Sequence, residues 1–228
     1  MLHKVMFRYD AVLFDMDGTL LDTLDDLTAA LNAALAEHGF PAHSKETVMG
    51  FIGNGAYRLI QNALPAHTGD AVCAKVLATF KQHYAQHCDR LTRPYPGILS
   101  MLSALDEAGL KLAIISNKPD PQVQLLSKAF FGSLIHTAMG NRDDIPRKPA
   151  PDMLHLAMQA LAVDPERTLY IGDSHVDFET AENAGIDIIL ASWGYENPKA
   201  LRRLSPLFFV GDPAELPMLI LQEQEDTP

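Results

Sequence analysis

AVLFDMDGTLLDT, residues 11–23, runs from an apolar stretch, Ala11 to Phe14, straight into two aspartates placed two apart, Asp15 and Asp17. The apolar run has the length and composition of a buried strand. Side chains two apart on an extended segment point the same way, so both carboxylates face one rim. Like charges at that spacing repel strongly unless a cation stands beside them.

Outward from this stretch, short apolar runs alternate with helical patterns. The runs are AVLFD (11–15), LKLAIIS (110–116), TLYIGD (168–173), DIILA (187–191) and LFFV (207–210). Segments such as PDMLHLAMQALAV (151–163) repeat apolar residues at three and four, as amphipathic helices do. Strands alternating with helices predict an α/β class with a Rossmann-like parallel sheet. The interval between the first two runs differs, for it holds helical patterns and no convincing strand. Leu24, Leu27, Leu31 and Leu35 before Gly39 mark one helix, and Val72, Val76, Phe80 and Tyr84 another. The expected organisation is therefore a core of residues 1–19 and 93–228, interrupted by an inserted helical cap domain over 20–92 that returns at Pro94, Pro96 and Gly97. The end, EQEDTP, reads as a frayed acidic tail.

Composition narrows the function. The chain of 228 residues carries 18 Lys and Arg against 29 Asp and Glu, a formal charge of −11, with 47% hydrophobic residues. An acidic chain without a basic stripe argues against nucleic acid as a partner. Cys73 and Cys88 are too few for a disulfide framework, and MLHKVMFRYD lacks the apolar centre of a signal peptide. No stretch approaches the roughly 18 apolar residues of a membrane span, so a cytoplasmic location is expected.

Ligands of open α/β sheets bind at the carboxyl ends of the strands. Those ends carry Asp15 and Asp17, then Ser116 and Asn117, then Asp173 with Asp177 four residues on, while Lys148 precedes a helix in RKPAPD. Three carboxylates with room for water and a phosphate make a hard, oxygen-only site that suits Mg²⁺. Ser116, Asn117 and Lys148, with backbone amides of the turn Asp17-Gly18-Thr19, then supply phosphate-binding groups. Each motif has a bland reading: Lys148 alone is a surface lysine, Ser116 alone a strand-end hydroxyl, and Asp after a strand a cap. GDPAEL (211–216) illustrates the last, since Asp212, Pro213 and Glu215 form a capping box that needs no chemistry. His83 and His87 beside Cys88 read as a helix face rather than a zinc site, and His175 as a loop residue.

The joint order DMDGT, ISNKP, KPAPD and GDSHVDFETAENAG resembles the motifs of haloacid-dehalogenase-like phosphohydrolases, across nearly all of the inner domain. The resemblance implies that Asp15 is the nucleophile taking the phosphoryl group as an aspartyl-phosphate and that Asp17 is the general acid and base. It makes Asp15, the backbone carbonyl of Asp17, and Asp173 ligands of Mg²⁺, with Asp177 supporting the metal through water. Dehalogenases of this kind lack the second aspartate, so Asp17 favours phosphoryl transfer.

Substrate choice falls to the cap. FIGNGAYRL (51–59) sets glycines around Asn54, with Arg58 placed to meet a carboxylate or second phosphate; the competing reading is a simple turn with Arg58 in solvent. The stretch resembles the cap loop of phosphoglycolate phosphatases, which makes a small phosphorylated metabolite the expected partner and 2-phosphoglycolate the leading substrate. No lysine occurs between Met49 and Ala74, a departure from relatives that form an imine with phosphonoacetaldehyde. The alternatives are a phosphomutase of the β-phosphoglucomutase type and a phosphatase for pyrophosphate, sugar phosphate or nucleotide. Oligomeric state is left open.

Overall fold

The computed structural model describes residues 8–221; the start of the chain and the acidic tail read from the sequence lie outside them. The chain enters through β1 (Ala11–Phe14), bends into a two-residue strand β2 (Leu21–Asp22), and then leaves the sheet. Helices α1 (Leu24–Glu37), α2 (Lys45–Met49), α3 (Gly55–Ala63) and α4 (Asp70–His87) follow before the chain returns through β3 (Arg93–Pro94). From there α5 (Ile98–Glu107), β4 (Lys111–Pro119), α6 (Asp120–Phe131), β5 (Thr137–Asn141) and α7 (Asp152–Leu161) alternate. The last stretch holds β6 (Thr168–Gly172), α8 (His175–Ala184), β7 (Asp187–Ala191), α9 (Pro198–Leu201), β8 (Phe208–Val210) and α10 (Glu215–Ile220).

Six strands form one parallel sheet in the order β5-β4-β1-β6-β7-β8. Strand β1 lies between β4 and β6, with Phe14 paired to Ile114 on one side and Ile171 on the other. The chain first builds outward from β1 through β4 to β5, then crosses back to β6. That reversal opens a crevice above the carboxyl end of β1, where α/β sheets bind ligands.

Alternation along the strands divides the core. Val12, Phe14, Leu112, Ile114, Leu169 and Ile171 face one apolar cluster that continues into the helices of the insertion; Ala11, Leu13, Ala113, Ile115 and Tyr170 face a second, built with α7 and α8. All of these strand residues are buried, which fits a parallel sheet covered on both faces.

Two connections tie the insertion to the sheet. Strands β2 and β3 pair antiparallel, Leu21 opposite Pro94 and Asp22 opposite Arg93. Beside them the buried carboxylate of Asp26, in the first turn of α1, accepts the backbone N–H groups of Leu91 and Thr92 at 2.9 and 2.8 Å. The departing and returning strands are thereby clamped together.

Sequence and structure differ at β5, which was not expected. Its residues Thr-Ala-Met-Gly-Asn carry no apolar run because it is an edge strand, mostly half-buried. The strand at 110–116 is also longer than expected, reaching Pro119. The GDPAEL turn differs from its reading as a capping box: α10 starts at Glu215 with Ala214 as its N-cap, while Glu215 Oε1 accepts from the backbone N–H of Gly211 and Asp212, and Asp212 Oδ1 from that of Ala214, bonds within the turn that need no chemistry.

Candidate active site

Asp15 extends β1 by one residue, its N–H bonded to the Ile171 carbonyl at 2.9 Å. The next residues fold straight back: the N–H groups of Leu20 and Leu21 both reach the Met16 carbonyl, and that of Gly18 reaches Leu21. Gly18 adopts φ +89, and a Cβ there would stand 2.3 Å from Asp173 Oδ2. Gly194, from the loop after β7, would likewise place a Cβ 2.2 Å from Asp173. Asp173 is thus wedged between two glycine backbones.

Asp15, Asp173 and Asp177 are buried, and one carboxylate oxygen from each lies within 4.8 Å of the others. Among the described residues this is the cluster of His, Cys, Asp and Glu side chains suited to a metal; His83, His87 and Cys88 are not part of one, and His83 instead meets Glu37 at 2.5 Å. Asp173 accepts from Thr19 Oγ1 at 3.0 Å and from the Tyr195 N–H at 2.7 Å.

Lys148 is buried in the midst of these acids. Its Nζ donates to Asp15 Oδ1 at 2.8 Å, Asp177 Oδ1 at 2.7 Å and Tyr170 Oη at 3.0 Å. The surface-lysine reading of Lys148 is therefore excluded. Asp177, the third residue of α8, is half of a capping box with Ser174. Its Oδ1 accepts from Lys148 and Tyr170, and its Oδ2 from the N–H groups of Asp173 and Ser174 and from Ser174 Oγ. Both oxygens are occupied by protein donors, so Asp177 orients Lys148 and the 172–175 turn.

Electrostatics divides the carboxylates. Burial pushes the Asp15 carboxyl up to about 7, opposed by Lys148 and reinforced by Asp177 and Asp17. Burial, then Asp177 and Asp15, hold Asp173 well above the usual carboxylate range. Asp177 goes the other way: burial alone would raise it, but Lys148, Ser174 and Tyr170 hold it below the ordinary value. Asp15 and Asp173 are the carboxylates short of positive charge.

Asp17 has a separate environment. Thr23 Oγ1 donates to its Oδ1 at 2.7 Å, and Lys118 Nζ to its Oδ2 at 2.9 Å. Lys118 was not singled out from the sequence, although it sits inside the ISNKP motif. Its ammonium is buried, 4.6 Å from the centre of the Tyr84 ring on α4. Burial alone would lower its proton affinity, yet Asp17 and Tyr84 hold it above the lysine range.

The other expected residues are placed as follows. Ser116 Oγ accepts from the Lys118 N–H at 3.3 Å and is buried. Asn117 Nδ2 donates to the carbonyls of Gly53 and Lys148, both at 3.1 Å, tying the 51–55 loop of the insertion to the sheet. Its Oδ1 is buried without a partner, as is Tyr84 Oη. A cavity of about 410 Å³ spans these groups, bounded by Asp15, Asp17, Ser116, Lys148 and Asp173 below and by Leu27, Met49, Ile52, Leu59 and Phe80 above. Asn54 lines it, as expected. Arg58 does not: its guanidinium is exposed and donates to Gln61 Oε1 at 2.9 Å. His175 opens α8 rather than lying in a loop, and its Nδ1 meets Glu196 at 2.8 Å.

The loop after β7 was also missed. Trp193 Nε1 donates to the Thr19 carbonyl, and Tyr195 Oη accepts from the Thr23 N–H at 2.6 Å and meets Asp22 Oδ1 at 3.1 Å. SWGYEN carries no motif, and only its position after a strand pointed toward the site.

A family model for haloacid dehalogenase-like hydrolases matches residues 12–191. A phosphoglycolate phosphatase of Pseudomonas putida is 36% identical over 208 residues, covering 88% of this chain and 76% of that one. An N-acetylmuramic acid 6-phosphate phosphatase of Pseudomonas aeruginosa is also 36% identical, over 84% of this chain and 85% of its own. A crystal structure from Lactobacillus delbrueckii subsp. bulgaricus, provisionally assigned as a phosphoglycolate phosphatase, superposes with a TM-score of 0.90 at 35% identity, covering 95% of this chain and all (100%) of the other.

Proposed function

The chain belongs to the haloacid dehalogenase-like hydrolases and is a phosphoric monoester hydrolase; on that premise we propose how its residues divide the work and which esters it takes. The observation that carries the reading is the pairing of two unlike acids at one strand end, Asp15 among buried charges and Asp17 held at the cavity.

Asp15 is the nucleophile. Its carboxylate oxygen forms a bond to phosphorus as the bond from phosphorus to the ester oxygen breaks, and Asp17 gives its proton to that departing oxygen. Asp17, now a carboxylate, takes a proton from water whose oxygen attacks the same phosphorus, releasing inorganic phosphate and restoring Asp15. Ser116 and the backbone amides following Asp15 would supply donors to the phosphoryl oxygens. Lys148 keeps Asp15 aligned while contributing positive charge beside the transferred group.

Mg²⁺ fits the donors present: Asp15 and Asp173 are oxygen ligands, buried, close together and short of positive charge. Bound by Asp15, Asp173 and the Asp17 carbonyl, it would keep the nucleophile ionised and offset the charge of an incoming phosphate. The free cysteines Cys73 and Cys88 agree with a cytoplasmic setting.

For the substrate, the names of the relatives favour 2-phosphoglycolate. The cavity favours a second reading, a larger sugar-type ester. It is roomy, and its wall from the insertion is largely apolar and includes no Lys or Arg to meet a carboxylate. The unpartnered Asn117 Oδ1 suits a hydroxyl group of a ligand. Phosphate release from 2-phosphoglycolate, hexose 6-phosphates, N-acetylmuramic acid 6-phosphate, pyrophosphate and nucleotides, with Mg²⁺ and with Asp15→Asn as control, tests both levels. Undiminished turnover by Asp15→Asn overturns the mechanism; the kcat/KM ranking decides between the esters.

A further inference from the structure

Lys118 serves neither of the roles just assigned to cations. It is not bonded to the Asp15 cluster, and its side chain is only 2% exposed, so it is not a surface charge either. A lysine so buried is retained against a large desolvation cost, which only close partners offset. Its partners are Asp17 on one side and the face of Tyr84 on the other.

The geometry around Asp17 is that of a clamp. Thr23 Oγ1 holds Oδ1 from the chain segment leading into the insertion. Lys118 Nζ holds Oδ2 at 2.9 Å and stands 2.9 Å from Oδ1 as well. With donors on both oxygens, rotation of the carboxylate about its last bond is restricted. Lys118 itself reaches this position because β4 continues to Pro119, and the Ser116 hydroxyl bonds its N–H. On its far side is a ring from α4 of the insertion, attracted to the ammonium through its π-face.

We propose that Lys118 is a positioning residue for the general acid: it fixes the Asp17 carboxylate at the cavity and, being backed by Tyr84, makes that setting depend on the insertion lying over the sheet. The inference rests on the assignment of Asp17 as the acid. It gives the ISNKP motif two functions, phosphate binding through Ser116 and acid placement through the lysine two residues later. Cap seating and proton transfer are coupled through one ammonium group.

The test uses leaving groups of different basicity. An alkyl ester loses an alkoxide and needs the proton of Asp17, whereas acetyl phosphate loses a stable carboxylate and does not. For full-length Lys118→Met, which keeps the acid and loses only its placement, kcat/KM for the best alkyl ester of the panel above is expected to fall about 30- to 100-fold, up to the lower end of what general acid catalysis contributes, and that for acetyl phosphate less than about threefold. Tyr84→Leu keeps the lysine and removes its backing, and carries the test if Lys118→Met does not fold; it should show the same bias at about five- to tenfold. Equal losses for both esters in the folded variant, or no loss for either, overturn the proposal. Absence of phosphate release by the wild-type protein from every ester would instead overturn the phosphatase mechanism itself, so the two failures are distinct.

Discussion

Replacing Lys148 by Met should destabilise the protein more than it changes its shape. The ammonium donates to Asp15, Asp177 and Tyr170, and both carboxylates are buried with it. Methionine fills most of the same volume but leaves two acids facing each other without their shared cation. Breaking a buried ion pair by removing one partner costs about 3–5 kcal/mol. For a chain of this size each kcal/mol is worth about 2–4 °C in Tm, so a fall of roughly 6–20 °C is expected in metal-free buffer.

The sign of the pH dependence follows from linkage. Lys148 lowers the proton affinity of both Asp15 and Asp177 in the folded state, so its loss raises both there and leaves the unfolded chain unaffected. The folded variant then binds more protons than the folded wild type, and its stability relative to wild type falls as pH rises. The deficit should be small near pH 5 and larger at pH 8. Scanning calorimetry at the two pH values, on wild type, Lys148→Met and Lys148→Met/Asp177→Asn, checks the account; the double variant removes one stranded charge and should recover part of the loss. A deficit independent of pH, or a double variant less stable than the single one, would refute a charge-based role for Lys148.

Other outcomes follow from the same site. Mg²⁺ at about 100 times its dissociation constant should stabilise the folded protein by about 2.7 kcal/mol, seen as a rise in Tm, and Asp173→Asn should abolish that rise. Gly194→Ala forces a Cβ into the space of the Asp173 carboxylate; it should weaken Mg²⁺ binding in a titration while Tm in metal-free buffer falls by no more than a few degrees, and unchanged Mg²⁺ affinity would show that Asp173 need not be held there. Arg58→Ala should leave KM within about twofold, since exposed side chains away from a site have little effect; a tenfold rise in KM would return Arg58 to the substrate.

What the sequence made legible was whatever the physics of one segment decides. The four aliphatic strand runs near β1, β4, β6 and β7 are buried on both faces, so each declared itself by composition alone. Asp15, Asp173 and Lys148 were legible because they lie at the ends or next to the starts of such elements, in motifs whose order matches a family. The edge strand β5 was hidden, for half-burial asks little of Thr137 to Asn141. Lys118 was hidden differently: ending the strand at Ser116 placed the lysine in a loop, whereas the strand runs on and turns it inward. Arg58 stands apart from its neighbours: the flanking loop approaches the cavity through Gly53 and Asn54, but α3 starts at Gly55 and the Arg58 guanidinium turns to Gln61. Contacts between segments far apart in the chain, such as Tyr195 with Thr23, have no local signature to read.

The two lysines also explain why the site calls for a divalent ion. Asp15, Asp17, Asp173 and Asp177 together bring four carboxylates to one crevice; Lys118 is committed to Asp17, and Lys148 is shared between Asp15 and Asp177. With Asp17 in the carboxylate form it takes after giving up its proton, four acids against two ammonium groups leave a deficit of two positive charges, concentrated on Asp15 and Asp173, the acids whose proton affinity is raised. Protonating both would satisfy the balance and disarm the nucleophile. A divalent cation satisfies it with Asp15 still ionised, and it does so without disturbing Asp17, whose neighbours come from a different lysine and from the insertion. The paired aspartates of AVLFDMDGTLLDT are therefore compatible because their counter-charges are separate, one supplied by Lys148 together with the proposed cation and the other by Lys118.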